Sequence, residues 1–260
     1  MPTLALPKFT FSDRARVVGI QLLTGRITGD FDDGQCDGPN RVVRRPGAHL
    51  EMTLREWTER YQREIVFTNV RYRGVSTWKN VLDLWVLQEI SWETDVECVI
   101  EIGVRYGGTS LWLSDTLRNF RGPTGSVISI DLEAPAIQWP ANVTFICGDS
   151  MAESVVEEAR SLSRGRRTMV IADGDHAAAH VLQEMKQYAP LVSTGCYFVV
   201  EDGIVDVMHW KEYTPGPMVA AEQFVTENDE FVIDRTREKF LLTYSPRGFL
   251  KRIRPSGQTA

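Results

Sequence analysis

Five short apolar runs constrain this chain more than anything else in it: ECVIEIG, SVISIDL, VTFICGD, RTMVIAD and CYFVVED. Each is rich in β-branched residues, and most of the stretches between them show helical spacing. A strand that is apolar without alternation has no solvent face, so both of its sides must be covered. Helices in the connections supply that cover, and the arrangement is a parallel sheet with helices on both faces. Downstream, an amphipathic stretch from Met218 to Asn228 leads to FVID and then KFLLTYSP, with Gly248 turning the chain before FLKRI. Reading FVID and KFLLTYSP as two further strands predicts a mostly parallel seven-stranded α/β sheet, with an antiparallel strand added at its edge.

The first 48 residues lack this periodicity. They carry an acidic loop from Asp30 to Asp37 and a basic cluster from Arg41 to Arg45. Helical spacing begins near Leu50, in LEMTLREWTERYQREIVF, and returns in NVLDLWVLQEISWE. Residues 1–70 are therefore expected to be an N-terminal arm and helix that serves as an oligomer contact or a lid, and 71–260 to be the main domain. A net charge of −6 argues against a nucleic-acid partner, because phosphate binding requires a basic face. No apolar stretch reaches the roughly 18–20 residues of a membrane span, and the N-terminus has no apolar core of a signal peptide. Cys36, Cys98, Cys147 and Cys196 show neither CxxC nor zinc spacing, and three of them lie in strand-like runs. The expectation is buried reduced thiols and a cytoplasmic location.

In such sheets ligands bind at the carboxyl ends of the strands, where Glu101, Asp131, Asp149, Asp173, Glu201 and Asp202 all fall. In VIEIGVRYGGTS a strand ends in Glu101, followed by Gly103, Gly107 and Gly108, with Ser110 opening a helix. Glycines let the backbone approach a ligand, and a helix N-terminus offers free N–H groups. The spacing is not the G-x-G-x-x-G of a dinucleotide fold, which disfavours a nicotinamide dehydrogenase. Asp131 stands where a carboxylate reaches both hydroxyls of a ribose, and Asp149 where an adenine amino group needs an acceptor. Each acid alone can be a helix cap, Asp149 with Ser150 before AESVVEEA in particular.

The second constellation is ADGDHAAAH with VVEDG. Neighbouring strands lie about 5 Å apart, so Asp173, Glu201 and Asp202 can converge on one ion, and hard oxygen donors select Mg²⁺, Mn²⁺ or Ca²⁺. Successive residues of a strand point to opposite faces, so ligation by both Glu201 and Asp202 requires the strand to break, which Gly203 permits. His176 is the candidate general base, with Asp175 as rival ligand or base, and His180 is assigned to packing or helix surface. Tyr72, Trp78, Trp210 and Tyr213 are candidate walls of an acceptor pocket, whereas Trp85, at helical spacing with Leu82 and Glu89, is expected in the core.

These segments resemble a class I S-adenosylmethionine-dependent methyltransferase, Rossmann-like with an N-terminal extension. More narrowly, GVSTWKNVLDLWVLQEI, EIGVRYGGTS, DGDH, VVED and SPRGFLKRI, spanning about residues 74–252, resemble the cephalosporin hydroxylase and rhamnosyl O-methyltransferase family. That family includes metal-dependent enzymes that methylate sugar hydroxyls on macrolide antibiotics. The resemblance implies S-adenosylmethionine bound by Glu101, Gly103, Gly107, Ser110, Asp131, Asp149 and Asp173, and Mg²⁺ or Mn²⁺ on Asp173, Glu201 and Asp202. It makes His176 and Asp173 catalytic, the acceptor a small glycosylated molecule, and the assembly a homo-oligomer. There is no His-x-Asp/Glu…His triad for iron oxygen chemistry. A catechol-type O-methyltransferase shares the same metal logic, and a non-catalytic adenosyl-ligand binder is the alternative of another class.

Overall fold

The computed structural model describes residues 52–255 together with two short strand segments at 20–21 and 26–27. The acidic loop, the Arg41–Arg45 cluster, Cys36 and His49 lie outside the described residues. The chain divides into two compact units, Met1–Gln62 and Arg63–Ala260. In the first, Ile20–Gln21, Arg26–Ile27 and Met52–Thr53 form a small antiparallel sheet. It runs directly into a helix at Leu54–Arg60. Thr53 caps that helix reciprocally: its hydroxyl accepts from the Glu56 N–H at 3.2 Å, and the Glu56 carboxylate accepts from the Thr53 N–H at 2.7 Å.

The second unit is built on seven strands: β1 (Cys98–Ile102), β2 (Ser126–Asp131), β3 (Val143–Cys147), β4 (Thr168–Ala172), β5 (Tyr197–Val200), β6 (Phe231–Ile233) and β7 (Phe249–Arg252). The helices are α1 (Val81–Glu93), α2 (Gly108–Arg121), α3 (Glu153–Ser163), α4 (Ala178–Tyr188), α5 (Ile204–Met208) and α6 (Pro217–Glu227). The strand order is β6-β7-β5-β4-β1-β2-β3. The strands from β5 to β3 pair in parallel, and β7 runs antiparallel to both of its neighbours. This is the mostly parallel α/β sheet expected from the apolar runs, and its architecture is the class I methyltransferase one that the resemblance implies. Every residue of β1, β4 and β5 is buried, as strands covered on both faces must be. Full burial of a Val, Ile or Phe contributes ~1.5–3 kcal/mol, so these three strands anchor the core.

Five expectations need correction. KFLLTYSP is not a strand. It is loop, with Leu241 90% exposed, and the strand is the FLKR segment that follows, where Phe249 and Leu250 are buried. The antiparallel strand is inserted between β5 and β6 rather than added at the edge. Gly248 begins the pairing instead of turning away from it, its carbonyl accepting from the Val200 N–H at 2.8 Å. Trp85 is 56% exposed and lies on the outer face of α1, donating to Glu89 at 3.0 Å, while Val86, Leu87 and Ile90 face inward. Cys98 and Cys196 are buried free thiols as expected, but Cys147, at the end of the edge strand β3, is exposed.

Candidate active site

At the carboxyl end of β1 the chain turns at Gly103, with φ of 87°. A β-carbon there would lie 2.3 Å from the Asp173 carbonyl oxygen, so only glycine lets the β1 and β4 tips approach this closely. The Asp173 N–H donates to the Ile102 carbonyl at 2.8 Å and the Gly103 N–H to that of Ile130 at 2.9 Å, locking three strand tips together. Glu101 is fully buried in β1. It accepts from Ser110, the third residue of α2 rather than its opening one, and Ser129 donates to Ser110 at 2.9 Å. Burial raises the Glu101 pKa to about 8 against the opposing Ser110 bond and the Lys79 charge. Its Oε1 has no partner among the described residues.

Asp131 ends β2 and closes the glycine turn: its Oδ2 accepts from the N–H groups of Val104 at 2.7 Å and Arg105 at 2.8 Å. Gly107 is the N-cap of α2. Asp149 is exposed beyond β3 and accepts from the Met151 N–H at 2.9 Å. It does not cap α3, whose N-cap is Ala152. The acid therefore closes a local turn and leaves its side chain at the rim.

The two chemistry-bearing tips meet because β4 and β5 pair with Val200 opposite Ala172. Asp173 and Glu201 are the next residues of each strand, and the Glu201 N–H donates to the Ala172 carbonyl at 2.9 Å. The strand break expected at Gly203 occurs one residue earlier. Asp202 itself takes the left-handed conformation, φ 55°, while Gly203 is right-handed at φ −56°. Aspartate visits that region more readily than most side chains. The His176 Nε2 and Asp202 Oδ2 are 3.3 Å apart, and the Tyr213 ring meets the imidazole edge-on at 5.6 Å. Nδ1 of His176 is buried without a partner among the described residues. Asp175 is turned away into an exposed cap on the Ala177 N–H at 2.6 Å. His180 pairs at 3.3 Å with the buried Glu184, which also accepts from Ser150 at 2.5 Å.

Two residues of the site are not legible in the sequence. Lys79, 6% exposed, donates through Nζ to both Asp173 Oδ2 and Glu201 Oε2. It lies in the chain just ahead of α1, between Trp78 and the N-cap Asn80. Only its place in the apolar GVSTWKNVLDLW stretch hints at burial, and nothing local names its partners. Asp83, one turn into α1, is the second. It accepts from Thr243 Oγ1 at 2.6 Å and the Tyr244 N–H at 2.7 Å, and burial lifts its pKa to about 6. Burial also raises Asp173 and Asp202, and takes Glu201 to about 7. The Lys79 charge opposes each of these shifts. Burial by itself would favour a neutral Lys79, but the two carboxylates overcome it and hold the ammonium protonated.

Among the described residues no group of three or more His, Cys, Asp or Glu side chains is so placed that it could hold a metal ion as it stands. What the rim offers is three hard-oxygen acids on two adjacent tips, with an ammonium engaging one oxygen of each of two of them. That donor set suits a hard divalent cation with open positions, not zinc or iron. Of the candidate pocket aromatics, Tyr213 contacts His176. Trp78 is bound at 3.1 Å to the Phe67 carbonyl and packs edge-on against Tyr106. Tyr72 is tied to Asp115 of α2 at 2.9 Å.

The family model described as Rhamnosyl O-methyltransferase/CmcI matches residues 64–253. A protein named rhamnosyl O-methyltransferase from Mycobacterium tuberculosis (strain ATCC 25618 / H37Rv) is 33% identical over 235 residues, covering 84% of this chain and 95% of its own. A protein of the same name from Mycobacterium leprae (strain TN) is 31% identical over 222 residues, covering 81% and 94%. Among solved structures, the apo form of CmcI-N160 is similar with a TM-score of 0.61 at 26% identity, covering 84% of this chain and 90% of that one. The structure titled cmcI-D160 Mg-SAM reaches 0.58 at 25% identity, with the same coverage.

Proposed function

Because the chain belongs to the Rhamnosyl O-methyltransferase/CmcI family, we propose that it is an S-adenosylmethionine- and Mg²⁺-dependent O-methyltransferase acting on a deoxysugar hydroxyl of a glycosylated natural product. The observation that carries this reading is the pairing of Val200 with Ala172, which sets Asp173 beside Glu201 next to the Gly103 turn. When bound, the donor supplies a methyl group on a positively charged sulfur, and the metal supplies a Lewis acid for the acceptor hydroxyl.

The chain's own residues do the rest. Asp131, fixed by two backbone N–H groups, would hold the ribose hydroxyls, and Asp149, at the rim, the adenine amino group. Asp173, Glu201 and Asp202 would hold the divalent cation. His176, whose Nε2 lies 3.3 Å from Asp202 Oδ2, is the general base. His176 would take the acceptor hydroxyl's proton as that oxygen receives the methyl group, and the bound donor would leave as the thioether. Asp202 then faces the imidazolium and stabilises it. Holding both reactants at one rim removes most of the entropic barrier. The buried thiols Cys98 and Cys196 suit a cytoplasmic setting, and a homo-oligomer belongs to the same reading.

The test is methyl transfer from labelled S-adenosylmethionine to a rhamnosyl glycoside and, in parallel, to a catechol. The expected result is labelled sugar, lost with EDTA and restored by Mg²⁺. Label on the catechol alone, or on the sugar at full rate in EDTA, would refute the assignment.

A further inference from the structure

We infer that Lys79 is a permanent part of the metal site, a positioning residue that braces Asp173 and Glu201 from behind while the cation sits on their remaining oxygens. This rests on the proposed metal role of the two acids. The alternative is that the ammonium merely fills the site and leaves when metal enters.

Three observations favour the brace. First, Lys79 engages one oxygen of each carboxylate, Asp173 Oδ2 and Glu201 Oε2, and so leaves Asp173 Oδ1 and Glu201 Oε1 for a second cation. Second, the backbone on either side of Lys79 is pinned. The Thr77 N–H donates to the Val70 carbonyl at 2.9 Å, and the Trp78 indole to the Phe67 carbonyl at 3.1 Å. Asn80 caps α1, and its amide donates to Asp83 at 3.0 Å. An ammonium held this way has little freedom to swing out of a site where it is 6% exposed. Third, the charges balance. Asp173, Glu201 and Asp202 with one ammonium carry a formal charge of minus two, which a divalent cation neutralises. Without Lys79, one buried and two partly buried carboxylates would face one Mg²⁺ with an unmatched negative charge, and unpaired charge away from water is costly.

The carboxylates are themselves fixed at the backbone by the Asp173 N–H bond to Ile102 and the Glu201 N–H bond to Ala172. Their side chains cannot relieve mutual repulsion by moving the strands. The brace is what keeps both pointed at one place, as partners behind metal ligands do elsewhere.

The experiment measures Mn²⁺ affinity by electron paramagnetic resonance on the full chain, for the wild type, Lys79→Met, Lys79→Gln and Asp173→Asn. S-adenosylhomocysteine affinity by calorimetry is the parallel readout. Lys79→Met and Lys79→Gln are expected to weaken Mn²⁺ binding by about 10–100-fold, the range typical of partners behind metal ligands, with S-adenosylhomocysteine affinity little changed. Mn²⁺ binding that is unchanged or tighter in both lysine variants overturns the inference, because a displaced competitor would behave so. If neither lysine variant folds, a Mn²⁺-loaded wild-type structure decides: Lys79 still bridging both acids supports the brace, and Lys79 turned away overturns it. Wild-type Mn²⁺ binding that Asp173→Asn leaves intact would instead refute the metal assignment to these acids, and the brace with it.

Discussion

Replacing Gly103 with alanine tests the joint on which the whole rim depends. Two separable costs act there. The φ of 87° is a region that L-residues avoid at roughly 1–2 kcal/mol. The new β-carbon would also stand 2.3 Å from the Asp173 carbonyl oxygen and 2.6 Å from the Gly174 nitrogen, which are backbone atoms that no rotamer change can move aside. Overpacking of that kind costs about 1–3 kcal/mol, so Gly103→Ala should destabilise by ~2–5 kcal/mol. Two companion variants isolate the parts. Gly74→Ala, at φ 81° with nothing within 4 Å, carries the conformational strain alone, about 1–2 kcal/mol. Gly174→Ala, with only ordinary contacts at 3.7 Å and beyond and no positive φ, should be neutral or slightly stabilising, by ~0.4–1 kcal/mol. Equilibrium urea unfolding of the four proteins gives the free energies from midpoints at constant slope. If Gly103→Ala costs no more than Gly74→Ala, the β1 and β4 tips are not as close as described, and the argument that sets Asp173 beside the glycine turn fails.

Two further outcomes follow from other buried groups. Glu101, with its pKa raised to about 8 by burial, holds a proton in the folded state that the unfolded chain releases near its ordinary value of 4.5. Its contribution is therefore full below about pH 4.5 and is lost as pH rises toward 8; Glu101→Gln should flatten that decline, and equal slopes of urea midpoint against pH in the two proteins would refute it. Asp206 accepts from the N–H groups of Gly216 at 2.7 Å and Met218 at 3.0 Å, fixing the start of α6. Asp206→Ala should cost about 2–4 kcal/mol in thermal or urea unfolding, and a loss below ~0.5 kcal/mol would show that the chain there is held by other contacts.

Much of this protein is determined by its sequence alone. Whether a segment is apolar on one face or both is a local property, so ECVIEIG, RTMVIAD and CYFVVED declare themselves as buried parallel strands, and the acids that end them fall together at one rim of the sheet. The glycine turn and the DGDH and VVED acids are legible for the same reason. Local pattern does not, however, say which distant segment a strand or charge will meet. KFLLTYSP is as apolar as a strand, but it is FLKR that pairs with β5, because long-range hydrogen bonding, not hydropathy, chooses the partner. Trp85 has core spacing and faces out. The break after Glu201 is carried by an aspartate in a left-handed turn rather than by the neighbouring glycine. Lys79 is separated from Asp173 and Glu201 by much of the domain's sequence, and only the closed fold brings its ammonium to their carboxylates. A buried charge finds its partner through space, and no periodicity along the chain records that meeting.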